Sequence, residues 1–178
     1  QRMLEKYSHY LTCDLDSNDR NEILILRSNP AQAQNTAHLF SLTSVGVSQI
    51  ASCELDNTSK TLNHPIAAQL SSGKNAVYID EIKGLGAVTE VIFLEKGQLI
   101  NPLRDAEAKE TSVTLRSATL ETTDINNDGI LEIPIQSEVP TVTKTGIGEK
   151  LYLTNWCSFN GESLTNQMTT FINLTDGY

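Results

Sequence analysis

Short apolar, β-rich runs recur from one end of the chain to the other, and helical spacing is scarce. Apolar runs of this length, rich in β-branched and aromatic residues and bounded by polar turns, read as strands. "ILIL" at 23–26, "AVYI" at 76–79 and "VIFLEKGQLI" at 91–100 are the clearest cases. The last reads as a hairpin with Gly97 in its turn. Helical signal is confined to "NPLRDAEAKETS" at 101–112. There Asn101 caps one or two turns and Pro102 takes the first position. Pro134 falls inside an apparent strand, which predicts an edge or a bulge.

The runs repeat. "CDLDSNDRNEILIL" at 13–26 matches "TDINNDGILEIPI" at 123–135 without a gap, at an offset of 110 residues (from 14 to 124). Half of that offset is 55, and "AQLSSGKNAVYID" at 68–80 stands there, without its acids and one residue shorter. Leu15, Leu70 and Ile125 share the phase. Each copy continues as strand, polar turn, strand: "AHLFSLTSVGVSQIASCEL", "TEVIFLEKGQLINPL" and "EKLYLTNWCSFNGESLTNQMTTFINL". The predicted fold is all-β and β-propeller-like, with about three four-stranded antiparallel blade units near 10–64, 65–119 and 120–173. The alternative is a multi-sheet β domain of another kind. The chain opens at Gln1 without an initiator Met and ends in "INLTDGY", which reads as an excerpt, 1–178, of a longer protein.

Composition narrows the partners. A net charge of −9 argues against nucleic acid, which needs clustered Lys and Arg. The apolar runs are too short to span a bilayer. Cys13, Cys53 and Cys157 make no C-x-x-C knuckle. Their odd number allows at most one disulfide, and three partly buried thiols are the simpler arrangement.

The chemistry-bearing stretches are the acidic loops. An EF-hand closes with a bidentate Glu at position 12 between two helices. Counting from Asp14 and from Asp124, position 12 is Ile25 or Ile135, each in a strand, so an EF-hand is excluded. The acid falls instead at position 9, as Glu22 or Glu132. The pattern D-x-[DN]-x-[DN]-[GD]-x-x-E entering a strand resembles the FG-GAP/VCBS-type β-propeller repeats with their integrin-like calcium hairpins. The first and third copies carry the resemblance, and the middle copy carries it weakly. Glu at position 9, where the family has Asp, is a departure.

The resemblance implies calcium as the cofactor. Its ligands would be Asp124, Asn126, Asp128, Glu132 and the Ile130 carbonyl. In the first loop they would be Asp14, Asp16, Asn18, Glu22 and the Arg20 carbonyl. The other reading needs no metal, because Asp and Asn side chains also fold such loops by accepting backbone N–H groups. Gly129 suits a positive φ at the tight turn, and Asp19 suits it less well.

Other constellations are weaker. His9, His38 and His64 lack metal spacing and read as surface or half-buried positions. "GLGAVTE" at 84–90 lacks a dinucleotide context and reads as a turn into a strand. Asp80 and Glu81, and the acids at 105, 107 and 110, read as solvated charge rather than a catalytic pair. Tyr152, Trp156 and Phe159 read as packing between units, with sugar or peptide stacking as the alternative. The resemblance implies a non-enzymatic extracellular or cell-envelope scaffold or binding module for a protein or glycan. The alternative is a non-catalytic part of an extracellular hydrolase or lyase.

Overall fold

The computed structural model describes residues 9–29, 34–55, 61–62, 65–83, 86–105, 116–117, 120–139 and 150–174. The fold is all-β, in three antiparallel sheets that follow one another along the chain, none closed on itself. The first is a four-stranded meander of β1 (His9–Cys13), β2 (Glu22–Asn29), β3 (Gln34–Thr43) and β4 (Gly46–Glu54).

The second sheet holds a meander of β6 (Ile66–Gln69), β7 (Asn75–Lys83), β8 (Gly86–Glu95) and β9 (Gln98–Ile100). Two short strands extend it to six. β5 (Thr61–Leu62) pairs with the far end of β7, and β10 (Arg116–Ser117) pairs with the start of β8. One helical turn, α1 (Pro102–Asp105), follows β9 where Asn101 and Pro102 predict it. The third sheet has three strands, β11 (Ile133–Val139), β12 (Lys150–Phe159) and β13 (Leu164–Leu174).

The expectation of three equal four-stranded units therefore holds only for the first sheet. In the third sheet the first strand is reduced to one bridge, Thr123 to Glu132. Pro134 lies on β11, an edge of that sheet, where a missing N–H costs no ladder bond inside the sheet. The β8–β9 hairpin turns at Lys96 and Gly97, both at positive φ, as the sequence predicts at Gly97.

Strand alternation decides the packing. Leu24, Leu26, Ala37 and Leu39 of the first sheet meet Val77, Ile79 and Ile92 of the second in one core. Tyr78, Val91 and Phe93, on the opposite face of the second sheet, meet Ile133 and Phe159 of the third in another. The middle sheet is thus covered on both sides, which is why "AVYI" and "TEVIF" are buried throughout and not at alternate positions.

Register shows that the repeat is structural. Leu24 pairs with Leu39, Tyr78 with Val91, and Pro134 with Trp156. On the other face Ile23 pairs with Phe40, Val77 with Ile92, and Ile133 with Cys157. Equivalent pairs therefore occupy equivalent places in all three sheets. Among the described residues no helix is long and apolar enough to cross a membrane.

Candidate functional site

The loops at 14–22 and 124–132 are hydrogen-bonded alike, bond for bond. Asp14 accepts the N–H of Asn18 on Oδ1 at 3.1 Å and that of Asp19 on Oδ2 at 2.9 Å. Asp124 accepts Asp128 and Gly129 in the same way, at 3.1 and 2.9 Å. At position 3, Asp16 accepts the Asn18 N–H at 3.2 Å, and Asn126 accepts the Asp128 N–H at 3.0 Å. At position 5, Asn18 accepts the Arg20 N–H at 2.9 Å, and Asp128 accepts the Ile130 N–H at 2.8 Å. A Glu oxygen then closes each loop onto position 2. Leu15 donates to Glu22 at 2.9 Å, and Ile125 donates to Glu132 at 3.0 Å.

The backbone matches too. Ser17 and Asn127 sit at φ of 59° and 61°, and Asp19 and Gly129 at 65° and 86°. Asp19 adopts the left-handed conformation that its side chain disfavours, because the Asp14 carboxylate holds its N–H. Positions 3 and 5 carry one Asp and one Asn in opposite order. The Asn18 amide donates to Asp16 at 2.7 Å, and the Asn126 amide donates to Asp128 at 3.0 Å. Exchanging one Asp for Asn thus replaces a repulsion between carboxylates by a hydrogen bond.

Both Glu side chains are buried, Glu22 at 2% and Glu132 at 0% exposure. Burial above all raises their pKa values. The neighbouring loop carboxylates add to the rise, and the backbone N–H bonds oppose it. The two differ in one respect. Glu132 leaves its Oε1 buried without a hydrogen-bond partner, whereas at Glu22 the Asp16 N–H also opposes the rise. Asp14, Asp16 and Glu22 each bring an oxygen within 4.8 Å of the others. Arg20 and Ile130 enter these networks through their N–H groups.

The middle copy forms a tight turn, with Gly73 donating to the Leu70 carbonyl at 2.8 Å. The first loop is also pinned to the next sheet, a contact with no signal in the sequence. The Asn75 amide donates to the Asp14 carbonyl at 2.6 Å. A pocket of about 200 Å³ opens beside it, lined by Cys13, Leu15, Ala68 and Asn75 among others.

The acids at 80 and 81 are not solvated: Asp80 is 8% exposed and Glu81 is 0% exposed. Asp80 accepts the hydroxyls of Thr89 and Thr122 at 2.7 and 2.8 Å and the Thr122 N–H at 3.0 Å. As neighbours on one strand, Asp80 and Glu81 point to opposite faces, so they do not form an acid pair. The side chain at 105 and residues 107 and 110 lie outside the description, as does His64. His38 is half-buried, as expected, with its Nε2 2.9 Å from the Thr36 hydroxyl. Burial and the nearby Arg27 charge lower its pKa.

All three cysteines are thiols, two of them buried. Burial, with Glu22 and Asp14 adding to it, pushes the Cys13 thiol up to about 12. Phe159 packs between sheets as predicted. Trp156, which pairs with Pro134, faces the other way and donates to the Thr170 hydroxyl at 3.0 Å. No protein-family model, curated protein or solved structure matches the chain.

Proposed function

We propose that this chain is a non-enzymatic, β-propeller-like segment acting as a rigid scaffold or a binding surface for a protein or glycan. Its setting in this reading is extracellular or the cell envelope, and calcium stiffens its acidic loops. The observation that carries the reading is the matched pair of loops, each leading into the second strand position of a sheet in a face-to-face stack. A blade is a four-stranded antiparallel sheet. The first sheet has that form, β6 to β9 contain it, and the third approaches it through the Thr123–Glu132 bridge. The extracellular setting rests on the resemblance of the loop pattern alone.

A non-catalytic role is favoured by the way the buried carboxylates are used. Glu22 and Glu132 hold backbone N–H groups, and Asp80 binds Thr89 and Thr122. The donor set of the first loop fits calcium. Calcium takes six to eight hard oxygens at about 2.3–2.6 Å, so two oxygens on one ion lie no more than about 5 Å apart. The Asp14, Asp16 and Glu22 oxygens meet that limit at 4.8 Å. In the third loop, Asp124, Asn126, Asp128 and Glu132 would hold the ion, and it would satisfy the orphaned Oε1 of Glu132.

Calcium titration with thermal melting tests this reading. A ligand of the folded state raises Tm with its concentration. The wild type is expected to gain several degrees at millimolar calcium, and Asp124→Ala to lose much of that gain. An unchanged wild-type Tm rules out calcium in these loops.

A further inference from the structure

We infer that Asn75, a residue of the second sheet, keeps the first acidic loop in its closed conformation, while the third loop keeps itself closed. The bearing of this on a bound cation rests on reading the loops as calcium sites. Two observations carry the inference: what stands at the positive-φ positions of each loop, and what reaches each loop from outside.

The loops share one backbone but not the residues best suited to it. Positions 4 and 6 have positive φ in both, at 59° and 65° for Ser17 and Asp19 and at 61° and 86° for Asn127 and Gly129. Glycine adopts this conformation freely and asparagine more readily than most residues, whereas serine seldom does. The first loop therefore holds more conformational strain, and left to itself it should open more often.

Asn75 acts at that place. It is the first residue of β7, and its amide donates to the Asp14 carbonyl at 2.6 Å and to the Ser17 hydroxyl at 3.3 Å. The first bond anchors the residue whose carboxylate holds the Asn18 and Asp19 N–H groups. The second reaches the strained serine itself. Gln69, opposite Asn75 across β6 and β7, donates to its Oδ1 at 3.3 Å and fixes the side chain. Among the described residues, the hydrogen bonds of the third loop come from within 123–132. The place of Asn75 in the third sheet, two residues before Ile133 as Asn75 is before Val77, is held by Leu131, which packs into the second core.

Holding the loop through Asn75 ties it to the docking of the first two sheets. By linkage, a cation that binds the closed first loop must favour docked sheets to the same degree. A cation on the third loop has no such tie.

Amide exchange of the full chain, read by NMR, tests this, with calcium as a second probe. Without calcium, Asn75→Ala should speed exchange at Asn18, Asp19 and Arg20 by about threefold to tenfold, the worth of one hydrogen bond. Asp128, Gly129 and Ile130 should keep their rates. Adding Ser17→Gly should restore most of the lost protection, because it relieves the positive φ. Gln69→Ala, at an exposed position where the fold should survive, should give a smaller rise at the same three amides. In a calcium titration, Asn75→Ala should need about threefold to tenfold more calcium to move the Asp19 signal, and no more to move that of Gly129. Unchanged exchange in the first loop of both variants, or an equal rise in both loops, overturns the inference. Wild-type signals that ignore millimolar calcium remove the calcium reading, and exchange without calcium still decides the role of Asn75.

Discussion

The loops at 14–22 and 124–132 reach one backbone from different side chains. Asp and Asn trade places at positions 3 and 5, and position 6 is Asp19 in one loop and Gly129 in the other. Yet each backbone N–H at positions 5, 6 and 7 finds an acceptor at the same loop position. The conformation is therefore set by where oxygen acceptors stand, and it tolerates moving the negative charge between positions 3 and 5. Position 1 does not vary, because one carboxylate there serves two N–H groups from both of its oxygens. The remaining difference lies at position 9, where Glu132 has a buried oxygen without a partner and the Asp16 N–H helps to hold the Glu22 pKa down.

The comparison breaks most readily at position 1. Asp14→Ala and Asp124→Ala each leave the position 6 N–H without an acceptor and the position 5 N–H with one of its two, at an expected cost of about 0.5–1.5 kcal/mol. Chemical denaturation should give similar losses for both loops. A large loss in one and none in the other would show that the loops are not energetically equivalent.

Position 6 comes next. Gly129→Asp should cost about 1 kcal/mol and Asp19→Gly should recover part of that, because both positions have positive φ. Open space surrounds the position of a Cβ on Gly129, so conformation alone accounts for the cost. Thermal melts of the two variants should move in opposite directions, and shifts of the same sign would contradict this account.

The finest distinction is at position 9. The folded-state pKa of Glu132 is raised, so its favourable contribution is present in acid. It is lost as pH climbs from the ordinary Glu value through the raised one. Glu132→Gln keeps an acceptor for Ile125 and has no such loss. Without metal, its Tm advantage over wild type should therefore grow from pH 4 to pH 7. Glu22→Gln should gain less, since the Asp16 N–H also opposes the rise at Glu22. A Tm difference that stays constant with pH would refute the linkage.

Parts of this were legible because they depend on near neighbours in the chain. The short apolar runs in "ILIL" and "VIFLEKGQLI" specify strands and a hairpin, and the spacing from Asp14 to Glu22 specifies a closed loop. Asp80 and Glu81 were not legible. An adjacent acid pair reads as solvated charge, and only the long-range approach of Thr122 to Asp80 supplies the partners that permit its burial. The loss of a first strand in the third sheet was equally hidden, because the loop pattern at 124–132 forms with or without it.

The sequence by itself determined the strands, the repeat and the loop conformation, since each follows from side-chain alternation or from hydrogen bonds across a few residues. Only the tertiary structure decided which sheet is buried on both faces and which faces point outward. Strand alternation produces two faces, and it is stacking that chooses what covers each.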